Sequence, residues 1–245
     1  MMNDIKKSMV QVRFWGSDMA LSYYNDRFDL HVGDKVYVEG RWEGCLGQVV
    51  AVNYNFKIKV SDYKRVLAVV DTNVTGHFLM AGTHLVTFDR EAIPSRKVAR
   101  WFIAPVSEEE EMVCGYDETS FSLDNLDGMK ASPAIVARGT NYFKQQRVVY
   151  LYVDGNQGYA IVEGSEAYEV EFEYRDGEIS HLVCSCMCNY PCKHEVAAML
   201  QLRAILEKIE NQVIEAEHMD YFAAINKEKL FSIAIDGKEE GQMIL

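Results

Sequence analysis

The chain has 245 residues, a net charge of −12 and an apolar content of 49%. This length exceeds the usual domain of about 100–150 residues and predicts two domains, while the apolar content excludes a disordered chain. No stretch approaches the roughly 20 apolar residues of a membrane span, and the start, MMNDIKKSMVQVRFWG, lacks the apolar region of a secretory signal. We therefore expect a cytoplasmic protein without a membrane segment, in which cysteines stay reduced.

The charge is unevenly distributed along the chain. Residues 1–105 hold 14 Lys and Arg against 11 Asp and Glu, whereas residues 106–135 hold 1 against 8. An acidic chain opposes non-specific nucleic-acid binding, which depends on neutralising phosphates. Any nucleic-acid interface must therefore be local, and the amino-terminal part is the better electrostatic candidate.

The first hundred residues contain short runs rich in Val, Phe and Tyr, separated by Gly, Asp and Asn, which is typical of β-strands. The predicted strands are MVQVRFWG, KVYVEG, GQVVAVNY, FKIKV and RVLAVVDT. The stretch from Val32 to Val52 resembles the start of SH3-like or KOW-type small barrels. We therefore predict a small SH3-like β-barrel over residues 1–105. The glycines of this stretch are explained by turns and barrel corners alone. The alternative hypothesis is that the rim of the barrel binds nucleic acid or protein.

Residues 106–130 are predicted to form an acidic linker, because four consecutive glutamates precede a segment rich in Asp, Asn, Gly and Ser. After it, RVVYLYVDG, GYAIVEG, AYEVEFEYRDG and EISHLVCSC predict four strands, with a hairpin turn at RDG. HEVAAMLQLRAILEKIENQVIEAEH then predicts a helix with one apolar stripe, which packs on the chain's own sheet. The second domain spans 131–215, and a carboxy-terminal extension, 216–245, adds a short helix and a strand. The fold class is α+β.

The stretch CSCMCNYPCKH places four of the six cysteines and a histidine within eleven residues. Structural zinc sites use four Cys or His ligands in a tetrahedron. One candidate pair, Cys184 and Cys186, lies at a predicted strand end, and a second pair, Cys192 and His194, lies at the predicted helix start. Metal binding is therefore favoured over free buried thiols, and over a redox site, which would show the spacing C-x-x-C.

This Cys-x-Cys and Cys-x-His pattern resembles the SWIM zinc finger, and the likeness extends over residues 137–202, from ARGTNYF through VEGSEAYEV to CKHEVAAML. The resemblance implies a compact ββα arrangement around one structural Zn²⁺, followed by a closing helix. It implies Cys184, Cys186, Cys192 and His194 as ligands. It also implies binding to DNA or to proteins, without catalysis by the metal.

Two residues leave the ligand set open. Cys188 forms a second C-x-C with Cys186, so the register of the site could shift by two residues. We prefer the first register, because only three residues would otherwise connect the two pairs. His181 is a further candidate on the preceding strand, where a lone histidine is more often a surface or packed residue.

The sequence predicts a binding module and not an enzyme. Phosphate-binding, nucleophile-elbow, zinc-protease and dinucleotide motifs are absent from it, and no small-molecule substrate is evident. The first hypothesis is nucleic-acid binding, with DNA favoured over RNA, through residues 1–105 and the zinc loop, near Arg138 and Lys193. Exposed Trp42, Tyr54 or Phe56 would support it through stacking. The alternative is a protein–protein adaptor without nucleic-acid binding.

Overall fold

The computed structural model describes residues 6–105, 113–115, 119–188, 190–212 and 220–235. The glutamate run of the predicted linker and parts of the predicted carboxy-terminal extension lie outside these residues. The chain divides into two compact units. The first comprises Met1–Val74, Arg96–Glu110 and Phe231–Ile244, and the second comprises Thr75–Ser95, Glu111–Leu230 and Leu245. Residues 75–95, assigned to the amino-terminal domain by the sequence prediction, therefore belong to the second unit.

The first unit contains strands β1 (Ser8–Phe14), β2 (Ala20–Asn25), β3 (Lys35–Val38), β4 (Gly47–Asn53) and β5 (Val66–Val70). They form one antiparallel sheet in the order β2-β1-β4-β3-β5. An isolated parallel bridge joins Tyr24 to Arg65, so the two edges of the sheet meet at one point. Within the described residues, no further ladder closes this sheet into a barrel.

Glycine and aromatic packing shape this sheet. Gly33, just before β3, has a φ of 97°, a conformation that favours glycine. Gly47 lies against β1, where an added Cβ would be 2.4 Å from a methyl of Val12. Trp42 stacks on Phe14 with ring centroids 4.8 Å apart. These contacts leave Trp42 packed against the sheet's own core.

The predicted strand FKIKV, residues 56–60, is wrong. Residues 54–59 have no regular structure, and a short 3₁₀ turn covers Val60–Asp62. The alternation has another cause, because Phe56 packs edge-on against Tyr24 with ring centroids 6.2 Å apart. Packing of single side chains can thus imitate the period of a strand.

The second unit contains an eight-stranded antiparallel sheet. Its strands are β6 (Leu79–Ala81), β7 (His84–Thr87), β8 (Ser120–Ser122), β9 (Val148–Asp154), β10 (Gln157–Glu163), β11 (Ala167–Arg175), β12 (Glu178–Cys184) and β13 (Tyr221–Asn226). The order is β6-β7-β13-β9-β10-β11-β12-β8. The predicted turn between β11 and β12 is confirmed, since Asp176 and Gly177 both have positive φ, as a type I′ hairpin requires.

Two helices, α2 (Pro133–Lys144) and α3 (Lys193–Gln212), pack with β9–β12 in one apolar core. The predicted apolar stripe of α3 comprises Met199, Leu202, Leu206, Ile209 and Val213. Met199, Leu202 and Ile209 are buried in this core and Leu206 packs against it, partly buried, which confirms the stripe; Val213 lies outside the described residues. Helix α2 approaches α3 closely, because an added Cβ at Gly139 would lie 2.5 Å from Val196. The position of α2 therefore depends on that of α3.

Helices α1 (Ser95–Phe102) and α4 (Lys227–Ala234) complete the four α-helices of the described residues. Mostly antiparallel sheets with segregated helices make the fold α+β, as predicted. In the carboxy-terminal extension the strand β13 precedes the helix α4. Among the described residues, no helix is both long enough and apolar enough to span a membrane.

His84, at the start of β7, is a fully buried titratable side chain in the second unit. Its Nε2–H donates to the carbonyl of Val148 at 2.8 Å, and the Thr83 hydroxyl lies 3.2 Å from Nδ1. Burial lowers the pKa of His84 to about 4, although the bond to Val148 opposes the shift. The imidazole is therefore neutral in the folded protein at neutral pH.

We predict that His84 makes the free energy of unfolding depend on pH. Unfolded His84 binds a proton near pH 6.5, whereas folded His84 binds one only near pH 4. The contribution of His84 to the free energy of unfolding is therefore complete above pH 6.5 and is lost as the pH falls from 6.5 to 4. The loss amounts to about 3 kcal/mol at most. Urea unfolding at pH 7 and at pH 5 should show a smaller decrease in the free energy of unfolding between the two pH values for His84→Gln than for wild type.

Exposed His77 provides the control, because His77→Gln should keep the wild-type loss. Acid effects on other groups are common to all three proteins and cancel in the comparison. An unchanged loss in His84→Gln would contradict the prediction.

Candidate metal centre

The structure brings together the four residues of the preferred register. Cys184 ends β12, Cys186 lies two residues later, Cys192 directly precedes α3, and His194 is in the first turn of α3. Their ligand atoms all lie within 4.8 Å of one another, and Cys192 and His194 are buried. This Cys₃His group could hold one metal ion.

Two distances within the group match the edges of a tetrahedral zinc site. The Sγ atoms of Cys184 and Cys192 lie 3.6 Å and 3.8 Å from Nδ1 of His194. Ligand bonds of about 2.3 Å for sulfur and about 2.0–2.1 Å for nitrogen give a sulfur–nitrogen edge of about 3.6 Å in a tetrahedron. These two distances therefore fit such an ion, and the Cys186 Sγ lies within 4.8 Å of the other three ligand atoms.

The imidazole of His194 is held by packing and presents Nδ1 to the cysteines. Its ring stacks on Tyr168, with centroids 4.1 Å apart, and lies tilted against Tyr142 at 5.6 Å. Nε2 is buried and has no hydrogen-bond partner among the described residues. Burial, followed by the charge of Lys193, lowers the pKa of His194 to about 4. The ring is then neutral at neutral pH, as metal binding requires.

Cys192 also caps α3. Its backbone N–H donates to Oε2 of Glu195 at 2.7 Å, and the N–H of Glu195 approaches the Cys192 Sγ at 3.5 Å. This reciprocal pair has the form of a capping box, with a cysteine in the place of the usual Ser or Thr. One side chain thus contributes both to the helix start and to the candidate metal centre.

Crowding disfavours the thiolate form of these cysteines when no cation is present. Burial raises the pKa of the Cys186 thiol to about 11. A hydrogen bond with the Cys184 side chain, together with burial, raises the pKa of the Cys192 thiol. A bound cation would reverse this preference, because metal ligation requires thiolates. The group therefore has the chemistry of a cation site.

The two alternative ligands lie outside this group. Cys188 is exposed, although its side chain is hydrogen-bonded to Cys186. His181 lies with Nδ1 3.2 Å from a carboxylate oxygen of Glu173. All six cysteines are free, so no disulfide competes with the site. That the four grouped residues ligate a metal stays a prediction.

Sequence reasoning missed three contributors to this geometry. The capping box was readable, since Cys192 and Glu195 have the spacing of Ser-x-x-Glu before a helix. Tyr168 and Tyr142 carried no local signal, because their contact with His194 depends on how β11 and α2 meet α3.

We predict different effects of two cysteine substitutions on metal content. Cys184→Ser should lower the bound zinc of the purified protein to well below one per chain, because the tetrahedron loses a sulfur. Cys188→Ser should keep the wild-type content, because this thiol lies outside the group. Elemental analysis of both variants checks this, and the opposite pattern would show that the register is shifted.

No protein-family model, curated protein or solved structure matches this chain. The resemblance to the SWIM zinc finger therefore depends on the chain's own residues. At a coarser level, the Cys₃His group is compatible with a zinc-finger-like motif.

Proposed function

We propose that the protein is a SWIM-type, zinc-stabilised module that binds nucleic acid. In this proposal Cys184, Cys186, Cys192 and His194 hold one structural Zn²⁺, which joins the end of β12 to the start of α3. Four protein ligands leave no coordination position for substrate, so the metal has a structural and not a catalytic role. We further propose an SH3-like barrel in the first unit, which the bridge between Tyr24 and Arg65 supports.

The observation that carries the nucleic-acid proposal is a local excess of positive charge beside the metal centre. Residues 130–147, which include α2, contain four cations and no carboxylate, in a chain whose net charge is −12. Lys193, between two of the ligands, adds a fifth cation. We name these residues the α2 surface: Lys130, Arg138, Lys144, Arg147 and Lys193.

Two cations of the α2 surface converge on one ring. The guanidinium of Arg147 and the ammonium of Lys193 lie 4.8 Å and 4.7 Å from the centroid of Tyr142. Their charges are therefore within roughly 10 Å of each other, close to the Debye length of about 8 Å at physiological ionic strength, and act together on an anion. Of the nearby carboxylates, Glu163 is paired with Lys229 at 2.8 Å, whereas Glu166 lines one cavity together with Arg138 and Lys193.

This surface is a better candidate than the aromatic residues predicted from the first unit. Trp42 stacks on Phe14 and Phe56 packs against Tyr24, so two of the three predicted aromatic residues are covered by other rings. Tyr54 is exposed, with the ammonium of Lys6 4.4 Å from its ring centroid. The metal centre itself would carry a net charge of about −1 with three thiolates and a neutral imidazole, which Lys193 offsets. The excess of cations on α2 then remains available for phosphates.

A protein partner is the second candidate. Met187 is fully exposed in the loop between the ligand pairs, and Tyr190 is 57% exposed. Exposed apolar side chains at a loop tip favour a docking contact. This adaptor function takes first place if nucleic acid does not bind.

We predict that nucleic-acid binding depends on salt and on the α2 surface. Each lost phosphate contact should reduce the slope of log K against log salt by about 0.7–0.9. Fluorescence anisotropy with labelled DNA should show a smaller slope for Arg138→Glu/Lys144→Glu than for wild type. Removal of zinc by a chelator should abolish binding, because the start of α3 and the packing of α2 on it depend on the metal.

Lys57→Glu/Lys59→Glu is the matched control, since both lysines are exposed in the first unit and the change of net charge is the same. It should leave the slope unchanged. Equal effects of the two double variants would contradict a local surface. No binding by wild type at low salt would overturn the nucleic-acid function.

A further inference from the structure

A cavity of about 280 Å³ is lined on the loop between the two ligand pairs by Met187, Cys188 and Tyr190, and on the α2 surface by Arg138 and Lys193. Glu166, Tyr168 and three candidate metal ligands, Cys186, Cys192 and His194, also line it, so the metal centre forms part of its wall. A volume near the lower end of ligand pockets, about 300 Å³, suits one small planar group. The cavity thus combines aromatic side chains, an apolar side chain and charges of both signs.

Tyr190 differs from the other two tyrosines around the metal centre. The ring of Tyr168 stacks on His194, and the ring of Tyr142 already contacts two cations. Tyr190 is 57% exposed and, among the residues that the structure describes, has no ring or hydrogen-bond partner. Its ring is therefore available for stacking by a ligand.

The cavity is lined by charges of both signs, whereas the sequence of α2 outside it carries only positive charges. Glu166 lines the cavity together with Arg138 and Lys193, so a phosphate there would meet a carboxylate. A neutral base with polar edges fits this mixture better than an anion does. The cations Lys144 and Arg147 lie on α2 and just after it, where no carboxylate interrupts the sequence from 130 to 147. Phosphates then fit along α2, and a base fits the cavity.

We propose that the α2 surface and the loop bind single-stranded nucleic acid in preference to a duplex, with one unstacked base on Tyr190; this inference rests on the proposed function. In a duplex both faces of each base are covered by its neighbours. Only a strand with free bases presents a ring to Tyr190 while its phosphates contact α2. Single-stranded recognition by stacking beside a basic groove follows the same physics. DNA and RNA share this chemistry.

The test compares labelled 20-mers of single-stranded DNA, single-stranded RNA and the matching DNA duplex by anisotropy, with the zinc-loaded full chain at low salt. We expect at least ten-fold tighter binding of one or both single strands than of the duplex. Tyr190→Leu should weaken single-strand binding by about 5-fold to 150-fold, which is the usual value of one stacked base. Duplex binding and zinc content should change little.

Two further variants keep the outcome interpretable. Tyr190→Trp retains an aromatic face and should retain single-strand binding, even if Tyr190→Leu disturbs the loop. Tyr54→Leu, in the first unit, should have no effect. Equal binding of duplex and single strands, or a Tyr190→Leu variant that binds single strands like wild type, overturns this inference.

The outcomes separate this inference from the proposed function. If Tyr190 does not matter but Arg138→Glu/Lys144→Glu still weakens binding, the nucleic-acid function stands and the single-strand inference is wrong. If no form of DNA or RNA binds, the proposed function itself fails.

Discussion

The structure of the second unit depends on the meeting of three sulfurs and one imidazole at the junction of β12 and α3. Without a cation these thiols stay protonated, since the hydrogen bond with Cys184, together with burial, raises the pKa of the Cys192 thiol. A cation would turn this crowded contact into four bonds, whose free energy becomes folding free energy. The junction is also the place where a strand of the sheet continues into the helix that covers it.

The effect of this junction extends beyond the four ligands. Cys192 caps α3 through its reciprocal contacts with Glu195, so the first turn of the helix and the ligand group have a common residue. Along α3, Val196 leaves no room for a side chain at Gly139 of α2. The cations of α2 therefore take their position from a helix that begins at the candidate metal centre. A structural metal can in this way set the geometry of a binding surface that it does not itself form.

Local sequence signals predicted much of the second unit. Strands β9 and β10 are nearly continuous apolar runs, β11 alternates apolar and polar residues, and Asp176-Gly177 specifies the turn into β12. Each of these signals was readable within a short window. The four ligands were predicted by spacing and by a resemblance, and the structure places them together. Strands β6, β7 and β13 were harder, because they join the sheet through pairings between residues far apart in sequence. Helix α2 had the start signal Ser132-Pro133, but Gly139 and Thr140 in its interior are weak helix formers, so it was not predicted.

Other features could not be read from the sequence, because they depend on tertiary contacts. The choice of Nδ1 on His194 follows from rings supplied by β11 and α2. Trp42 lies between two charged residues in the sequence, as a surface residue would, yet its ring packs on Phe14. The basic character of residues 130–147 is visible in the sequence, but its importance depends on α2 lying beside the ligand loop. A net charge summed over a long segment does not reveal a group of only five cations such as the α2 surface.

The central claim is that one metal ion joins β12 to α3 through three sulfurs and one nitrogen. X-ray absorption spectroscopy of the purified full chain at the zinc edge tests it most directly. We expect about one zinc per chain, with three sulfurs at about 2.3 Å and one nitrogen at about 2.0–2.1 Å. A first shell dominated by oxygen, or one with four sulfurs and no nitrogen, would contradict it.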